Sequence, residues 1–376
     1  MNVSALELVD RAIAAQGALA AEAEANERAR GIGPRTVEVL RSLDAFRMFV
    51  PRQYGGPEFD PVQAFKAIAA ISQADAAAGW CATIASQTSH IAGALDPAWA
   101  EVIFGPRSAI ACGAFAPLGR GKRSGGGHIV SGAWSWGSAT HIANWISGGT
   151  ITENGEFHQM LFPASEVIIA DTWYSAGLAG TASNDISVTD AFVPDGRSVI
   201  FGQAKPTCDS AIARTPGFVL FAGGIASVLI GIAERSLEEI VALSVSKKPA
   251  QSSKTLAVSP IVQADLARLI AVIRSARAYL FDEVGAVWES VLAGDRISID
   301  QRLAVRLAAS HVSGECVRVV DACFAMGGGS AVYSSSPLQR CLRDAHTAAA
   351  HVMVGPRVFE TTGRHTFGME IDTASL

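Results

Sequence analysis

Paired cysteines are missing from this chain. Its six cysteines, Cys81, Cys112, Cys208, Cys316, Cys323 and Cys341, stand without any CxxC spacing. That speaks against a thiolate zinc site and gives no sign of a disulfide framework. A surplus of positive charge is missing as well: 30 Lys and Arg face 35 Asp and Glu, for a net charge of -5. A nucleic-acid binder needs a clustered positive field, so no nucleic-acid partner is expected. Charged residues make up only 17% and apolar ones 49%, with no block of one sign, which excludes disorder. The opening stretch MNVSALELVDRAIAAQ lacks the basic and apolar regions of a secretory signal, so the expected location is cytoplasmic. One uncharged run exists, Phe218 to Ala233, but Glu234 and Arg235 follow it at once. It falls short of the ~20 residues of a spanning helix and reads as a buried core helix, not a membrane span.

Familiar catalytic signatures are absent too. There is no HExxH and no GxSxG elbow. Gly121-Lys122 runs into Arg123 where a phosphate loop needs Ser or Thr, and Gly119-Arg120-Gly121 does not extend to a dinucleotide fingerprint. If residues 337–363 form one helix, His346 and His351 lie about 140° apart around it and cannot share a metal. No metal site is expected.

What is present is a change of texture along the chain. At 376 residues the sequence has room for two or three domains of ~100–200 residues each. Residues 3–30 are rich in Ala, Glu and Leu and stop at Gly31-Ile32-Gly33-Pro34. Asp60-Pro61 and Asp96-Pro97 each place a capping acid before a proline at a helix start. From Ser108 to Ile200 the chain turns to Gly, Ser, Thr, Val, Ile and Trp, with HIVSGAWSW, NWISGGTI, HQMLFPASEVIIA and ISVTDAFVP reading as strands. After a polar connection over 203–215, helical texture returns. Helices are predicted from Pro260 to about Gly294, from Asp300 to Gly327, and from Pro337 to about Gly363. The expected fold is therefore α+β: an N-terminal helical domain over 1–107, a central β domain over 108–202, and a C-terminal antiparallel helix bundle over 203–376.

Two groups of residues stand out. Trp134, Ser135, Trp136, Gly137 and Ser138 lie in or beside one strand, and aromatic packing on a sheet face would account for them as well as a site would. On the last predicted helix, Asp344, Thr347 and His351 share a stripe, which fits either an oriented histidine or an ordinary structural one.

Three further segments carry a resemblance. FVPRQYGG (Phe49 to Gly56), GLAGTASNDISVTDAFVP (Gly177 to Pro194) and MGGGSAVYSSSPLQRCLRDAHTAAAH (Met326 to His351), in this order and spacing, resemble the acyl-CoA dehydrogenase fold superfamily over nearly the full chain. Within it the chain is similar to the two-component flavin-dependent monooxygenases that hydroxylate aromatic compounds. Acyl-CoA dehydrogenases carry a carboxylate base in one of two places. Here the first is Val352, and the second, within residues 240–264, holds no Asp or Glu. The hydroxylases instead carry a histidine that matches His351 and a serine that matches Ser138. Their usual Phe-x-Ser-Gly reads Trp136-Gly137-Ser138-Ala139 here, which departs from the pattern at the flavin face.

The resemblance implies an oxygenase component that uses reduced FMN or FAD and O₂ through a C4a-hydroperoxyflavin. It would act on a small aromatic or heteroaromatic substrate such as a phenol or an indole. A separate NAD(P)H-dependent flavin reductase would be its partner, and the assembly a homotetramer. By the same resemblance Ser138 holds flavin N5–H, Trp136 packs over the ring, and Phe115 flanks it. Gly328 and Gly329 form a turn that contacts flavin from a neighbouring subunit, while Trp80, His90 and His351 face the substrate, with His90 and His351 counted as catalytic beside Ser138. Asp344 is expected to be structural. Two other functions fit the same fold: an acyl-CoA dehydrogenase-like FAD enzyme with a non-standard base, and a binding protein without flavin.

Overall fold

The computed structural model describes residues 5–202, 205–250, 252–373 and 376. The ends of two sequence-derived segments, residues 3–4 and 203–204, lie outside the described residues. The chain divides into two compact units. The first comprises the residues up to Ala64 with Ala77–Ser175 and Ala179–Gly217; the second comprises Phe65–Ala76, Ala176–Leu178 and Phe218–Leu376.

The first unit opens on α1 (Ala5–Ala14), α2 (Gln16–Ala29) and α3 (Pro34–Ser42), with the predicted stop at residues 31–33 falling between the last two. α4 (Pro61–Ala74) begins here, and Asp60 Oδ1 accepts the Val62 amide at 2.7 Å, the N-cap expected from sequence. α5 (Ala76–Ser89) is almost wholly buried. α6 (Pro97–Phe104) is capped in the same way by Asp96 on Ala98 N–H.

A sheet follows, built from β1 (Ala111–Ser124), β2 (Gly127–Gly137), β3 (Trp145–Thr152), β4 (Phe157–Pro163), β5 (Ile168–Ala170), β6 (Asn184–Pro194) and β7 (Ser198–Ile200). Their order is β5-β6-β2-β1-β3-β4-β7. All pairs are antiparallel except β1 with β3. Gly125 and Gly126 take positive φ in the tight β1–β2 turn, the geometry that matches the sheet's right-handed twist. On β2, Trp134 is buried with Phe162 and Val130, and its indole reaches across to donate to the Gly149 carbonyl of β3 at 2.8 Å. Within the polar connection over 203–215, a short helix α7 (Ala211–Arg214) closes the unit.

The second unit is helical. α8 (Gly217–Ser246) contains the uncharged run, and 83% of its apolar stretch is buried, as a core helix requires. A Cβ on Gly223 would stand 2.3 Å from the Phe65 ring, and one on Gly231 would stand 2.3 Å from the Ala69 carbonyl, so the glycines let α8 lie directly against α4. α9 (Pro260–Ala293) and α10 (Ile299–Gly327) pack on one another across the link 294–298. Ser298 and Gln301 cap α10 reciprocally, so the cap lies ahead of the Asp300 read from sequence.

The last predicted helix needs correction. α11 (Pro337–Ala349) ends early, a single 3₁₀ turn covers Val352–Val354, and α12 (Arg357–Thr366) is separate. The helix is already broken at Ala350 and His351, and Gly355-Pro356 keeps it from resuming before α12, because the residue before a proline is disfavoured in helical conformation. His351 has extended backbone, φ -71° and ψ 133°, so it shares no helical stripe with Asp344 and Thr347. The angular argument against His346 and His351 falls with the same helix; His346 pairs with Asp321 at 2.8 Å instead.

Candidate functional site

The flavin-facing residues named from sequence fall at the end of β2. Its ladder with β6 pairs Trp134 with Ile186 and next pairs Gly137 with Asn184. Two residues, Ser135 and Trp136, thus oppose only Asp185, which is a β-bulge. The bulge places Trp136 in left-handed backbone at φ 67° and leaves its residue surface 72% exposed. Ala139 and Ala182 are also left-handed, at φ 61° and 46°. Each such residue costs of order 1–3 kcal/mol, and strain of this kind gathers at functional sites.

Beside the exposed indole, Ser138 is buried. Its Oγ receives the Trp80 indole N–H at 3.0 Å and stands 2.7 Å from Ser183 Oγ. Ser183 Oγ in turn lies 2.7 Å from Thr181 Oγ1, giving a buried row of three hydroxyls ending on an indole. The Ala139 amide donates to the Thr181 carbonyl at 2.9 Å and ties the two loops together. The structure thus brings Trp80, Trp136 and Ser138 together. It adds Thr181 and Ser183, which the sequence reading did not single out.

Two other residues of this unit are engaged elsewhere. Phe115 packs edge-on against Phe157 and Phe201, with ring centroids 5.1 and 4.9 Å apart. His90 Nε2 lies 3.0 Å from the Ile212 carbonyl, and burial holds the imidazole below its ordinary pKa. A neutral ring whose N–H is given to a backbone oxygen anchors the 212–215 segment. A cavity of about 460 Å³ also opens in this unit, lined by Arg123, His128, His158, Glu153, Glu156 and Asp195 among others. None of the sequence-derived site residues lines it, and its wall carries no Phe, Trp or Tyr for a flat ring system.

In the second unit, His351 caps the turn that follows it: its Nδ1 accepts the Met353 amide at 3.2 Å. The neutral ring therefore carries its proton on Nε2. Burial, aided by the buried Arg306 guanidinium, pushes the imidazole down to about 4. Burial also lowers Arg306 itself, to about 10. Asp344 accepts the Leu178 amide at 2.6 Å, and burial raises its carboxyl to about 7. With Arg343 Nη1 on the Ala176 carbonyl at 2.6 Å, it fastens residues 176–178 to α11, in keeping with the structural role expected for it. Gly328 (φ 49°) and Gly329 are exposed at the end of α10. Lys247 Nζ donates to the carbonyl just before them, that of Gly327.

The residues at the end of β2 fit a flavin. An exposed indole beside a buried hydroxyl with room for a third hydrogen bond offers a stacking face and a polar contact to a flat heterocycle.

Several known proteins are similar to this chain over most of its length. Residues 223–356 match the family described as acyl-CoA dehydrogenase, C-terminal domain. The chain is 29% identical over 349 residues to indole-3-acetate monooxygenase of Pseudomonas putida, covering 92% of this chain and 89% of that one. It is 27% identical over 362 residues to the HsaA oxygenase subunit of a flavin-dependent monooxygenase from Mycobacterium tuberculosis, covering 92% of both. The crystal structure of 3-HSA hydroxylase from Rhodococcus sp. RHA1 superimposes with a TM-score of 0.92 at 26% identity, covering 98% of this chain and 99% of that one. The chain thus has the acyl-CoA dehydrogenase-like fold, its helices over 223–356 match that family's C-terminal domain, and the relatives similar to it over most of its length are named flavin-dependent monooxygenases and hydroxylases.

Proposed function

We propose that this protein is the oxygenase component of a two-component system that hydroxylates a small aromatic or heteroaromatic compound, a phenol or an indole. The observation that carries the site assignment is the pairing of exposed Trp136 with buried, indole-bonded Ser138 at the β2 bulge. Reduced FMN or FAD, when bound, supplies the two electrons with which O₂ gives one oxygen atom to the ring and releases the other as water.

The chain's own groups have distinct tasks. Ser138 Oγ accepts the flavin N5–H, and Trp80 holds that oxygen in place. Trp136 covers the ring and keeps water from it. His351, with Nδ1 engaged by Met353, donates from Nε2 to an oxygen of the substrate; a ring held neutral down to about 4 serves better as a donor than as a proton carrier. Phe115, packed on Phe157 and Phe201, and His90, held by the Ile212 carbonyl, brace the segments that carry them. Gly328 and Gly329 offer an open turn against which the flavin of a neighbouring copy in a homotetramer fits. A relative named as an oxygenase subunit supports a second, separate component; we assign that role to an NAD(P)H-dependent flavin reductase and the pair to the cytoplasm. These tasks fall to three functional segments, 1–107, 108–202 and 203–376.

The test is turnover with a flavin reductase, NADH, FMN or FAD, and ¹⁸O₂, against a panel of phenols and indoles. A product carrying one ¹⁸O atom is expected. Reoxidation of reduced flavin at its free-solution rate, with no labelled product from any substrate, would overturn the assignment.

A further inference from the structure

The row of hydroxyls behind Ser138 has a direction. An indole N–H can only donate, so Trp80 occupies one of the two lone pairs of Ser138 Oγ. Among the described residues the remaining partner of that oxygen is Ser183 Oγ, at 2.7 Å. Two arrangements are open. If Ser183 donated to Ser138, both lone pairs of Ser138 would be filled and its own buried proton would have no acceptor. A buried polar group left without a partner costs about 1–3 kcal/mol. If Ser138 donates to Ser183, that proton is satisfied and Ser183 passes its own to Thr181 Oγ1, also 2.7 Å away. The second arrangement leaves one lone pair of Ser138 open and no proton to give.

We infer that Ser183 and Thr181 are positioning residues that preset Ser138 as a hydrogen-bond acceptor and so make the site select reduced over oxidised flavin. The chemistry of N5 supplies the selection. Reduced flavin carries a hydrogen on N5 and needs an acceptor; oxidised flavin has a bare N5 and needs a donor. Reduced flavin meets the open lone pair of Ser138 with nothing rearranged. Oxidised flavin obtains a hydrogen bond only by drawing the Ser138 proton away from Ser183. The inference rests on the reading that Ser138 faces N5.

The experiment measures dissociation constants for reduced flavin, anaerobically, and for oxidised flavin. Wild type is compared with Ser183→Ala, Ser183→Thr, Thr181→Val and Ser138→Ala. In Ser183→Ala the Ser138 proton is released to the ligand, so the preference for reduced flavin falls by about five- to tenfold. Ser183→Thr keeps the hydroxyl and the preference. Thr181→Val turns the Ser183 proton toward Ser138 and lowers the preference in the same sense, which preserves the test should Ser183→Ala fail to fold. A merely structural serine would weaken both flavins alike and leave their ratio fixed. If Ser138→Ala lowers the ratio and neither Ser183→Ala nor Thr181→Val does, the inference is wrong while the site stands. If Ser138→Ala itself leaves the ratio unmoved, the placement of Ser138 at N5 is wrong and the inference falls with it.

Discussion

The indole nitrogen of Trp80 on α5 points at Ser138 Oγ, at the end of β2, from 3.0 Å. The contact is buried on both sides, so its loss is not made good by water. Trp80→Phe keeps most of the ring and removes the donor, and should cost about 1–2 kcal/mol of stability. A double-mutant cycle with Ser138→Ala, read by urea unfolding, should return a coupling of about 1 kcal/mol. The same variant should convert a larger share of the reduced flavin it receives into H₂O₂, measured by peroxide assay beside product. A coupling near zero would mean that the indole merely fills space.

Much of this arrangement was legible in the sequence, and the part that was not has a definite cause. The two Asp-Pro helix starts and the long uncharged helix depend on local chemistry, and the structure has them where the residues put them. The sequence places Trp134 to Ser138 in or beside a strand, as β2 and the residue after it bear out, but does not mark Ser183 and Thr181 as partners of Ser138, although both lie in a segment that carries the resemblance. Their role depends on register: Gly137 pairs with Asn184, so one step beyond the bulge sets Ser138 against Ser183. No spacing within one segment carries that fact. His351 was found by resemblance, yet its helical setting was wrong. Gly355-Pro356 marks in the sequence that no single helix spans 337–363, whereas the end at Ala349 is fixed by the turn that His351 caps.

Asp344 makes stability depend on pH in a particular sense. Its folded carboxyl titrates at about 7, above the ordinary 3.8, because burial disfavours the charged form. The unfolded chain therefore loses its proton first as pH rises, and the fold loses stability from about pH 4 up to about 7. Asp344→Asn keeps an oxygen for the Leu178 amide and cannot ionise. Denaturant midpoints of this variant should decline less than those of wild type between pH 5 and 8, and the gap should widen with pH. Parallel curves would show that the carboxyl is not held in its neutral form.

His351 sets up the sharpest choice between two chemistries. A general base on the phenol or indole would need a free ring nitrogen, and removing it would cost a factor of ~10²–10⁴. The structure gives Nδ1 to the Met353 amide and leaves a proton on Nε2, with the ring held neutral down to about 4. Protonation is then resisted in the fold, so stability contributed by the neutral ring declines as pH falls from about 6.5 through 4. The rate of hydroxylation should show no limb from this group near 6.5. His351→Gln, whose amide N–H donates but whose side chain accepts no proton in this range, should keep the rate within about tenfold of wild type, since the hydrogen bond that it preserves is worth about 1 kcal/mol. His351→Ala should fall well below it. Single-turnover rates with reduced flavin and substrate, measured from pH 5 to 9, decide the matter. Equal loss in the Gln and Ala variants, with a limb near 6.5 in wild type that both abolish, would make His351 a base after all.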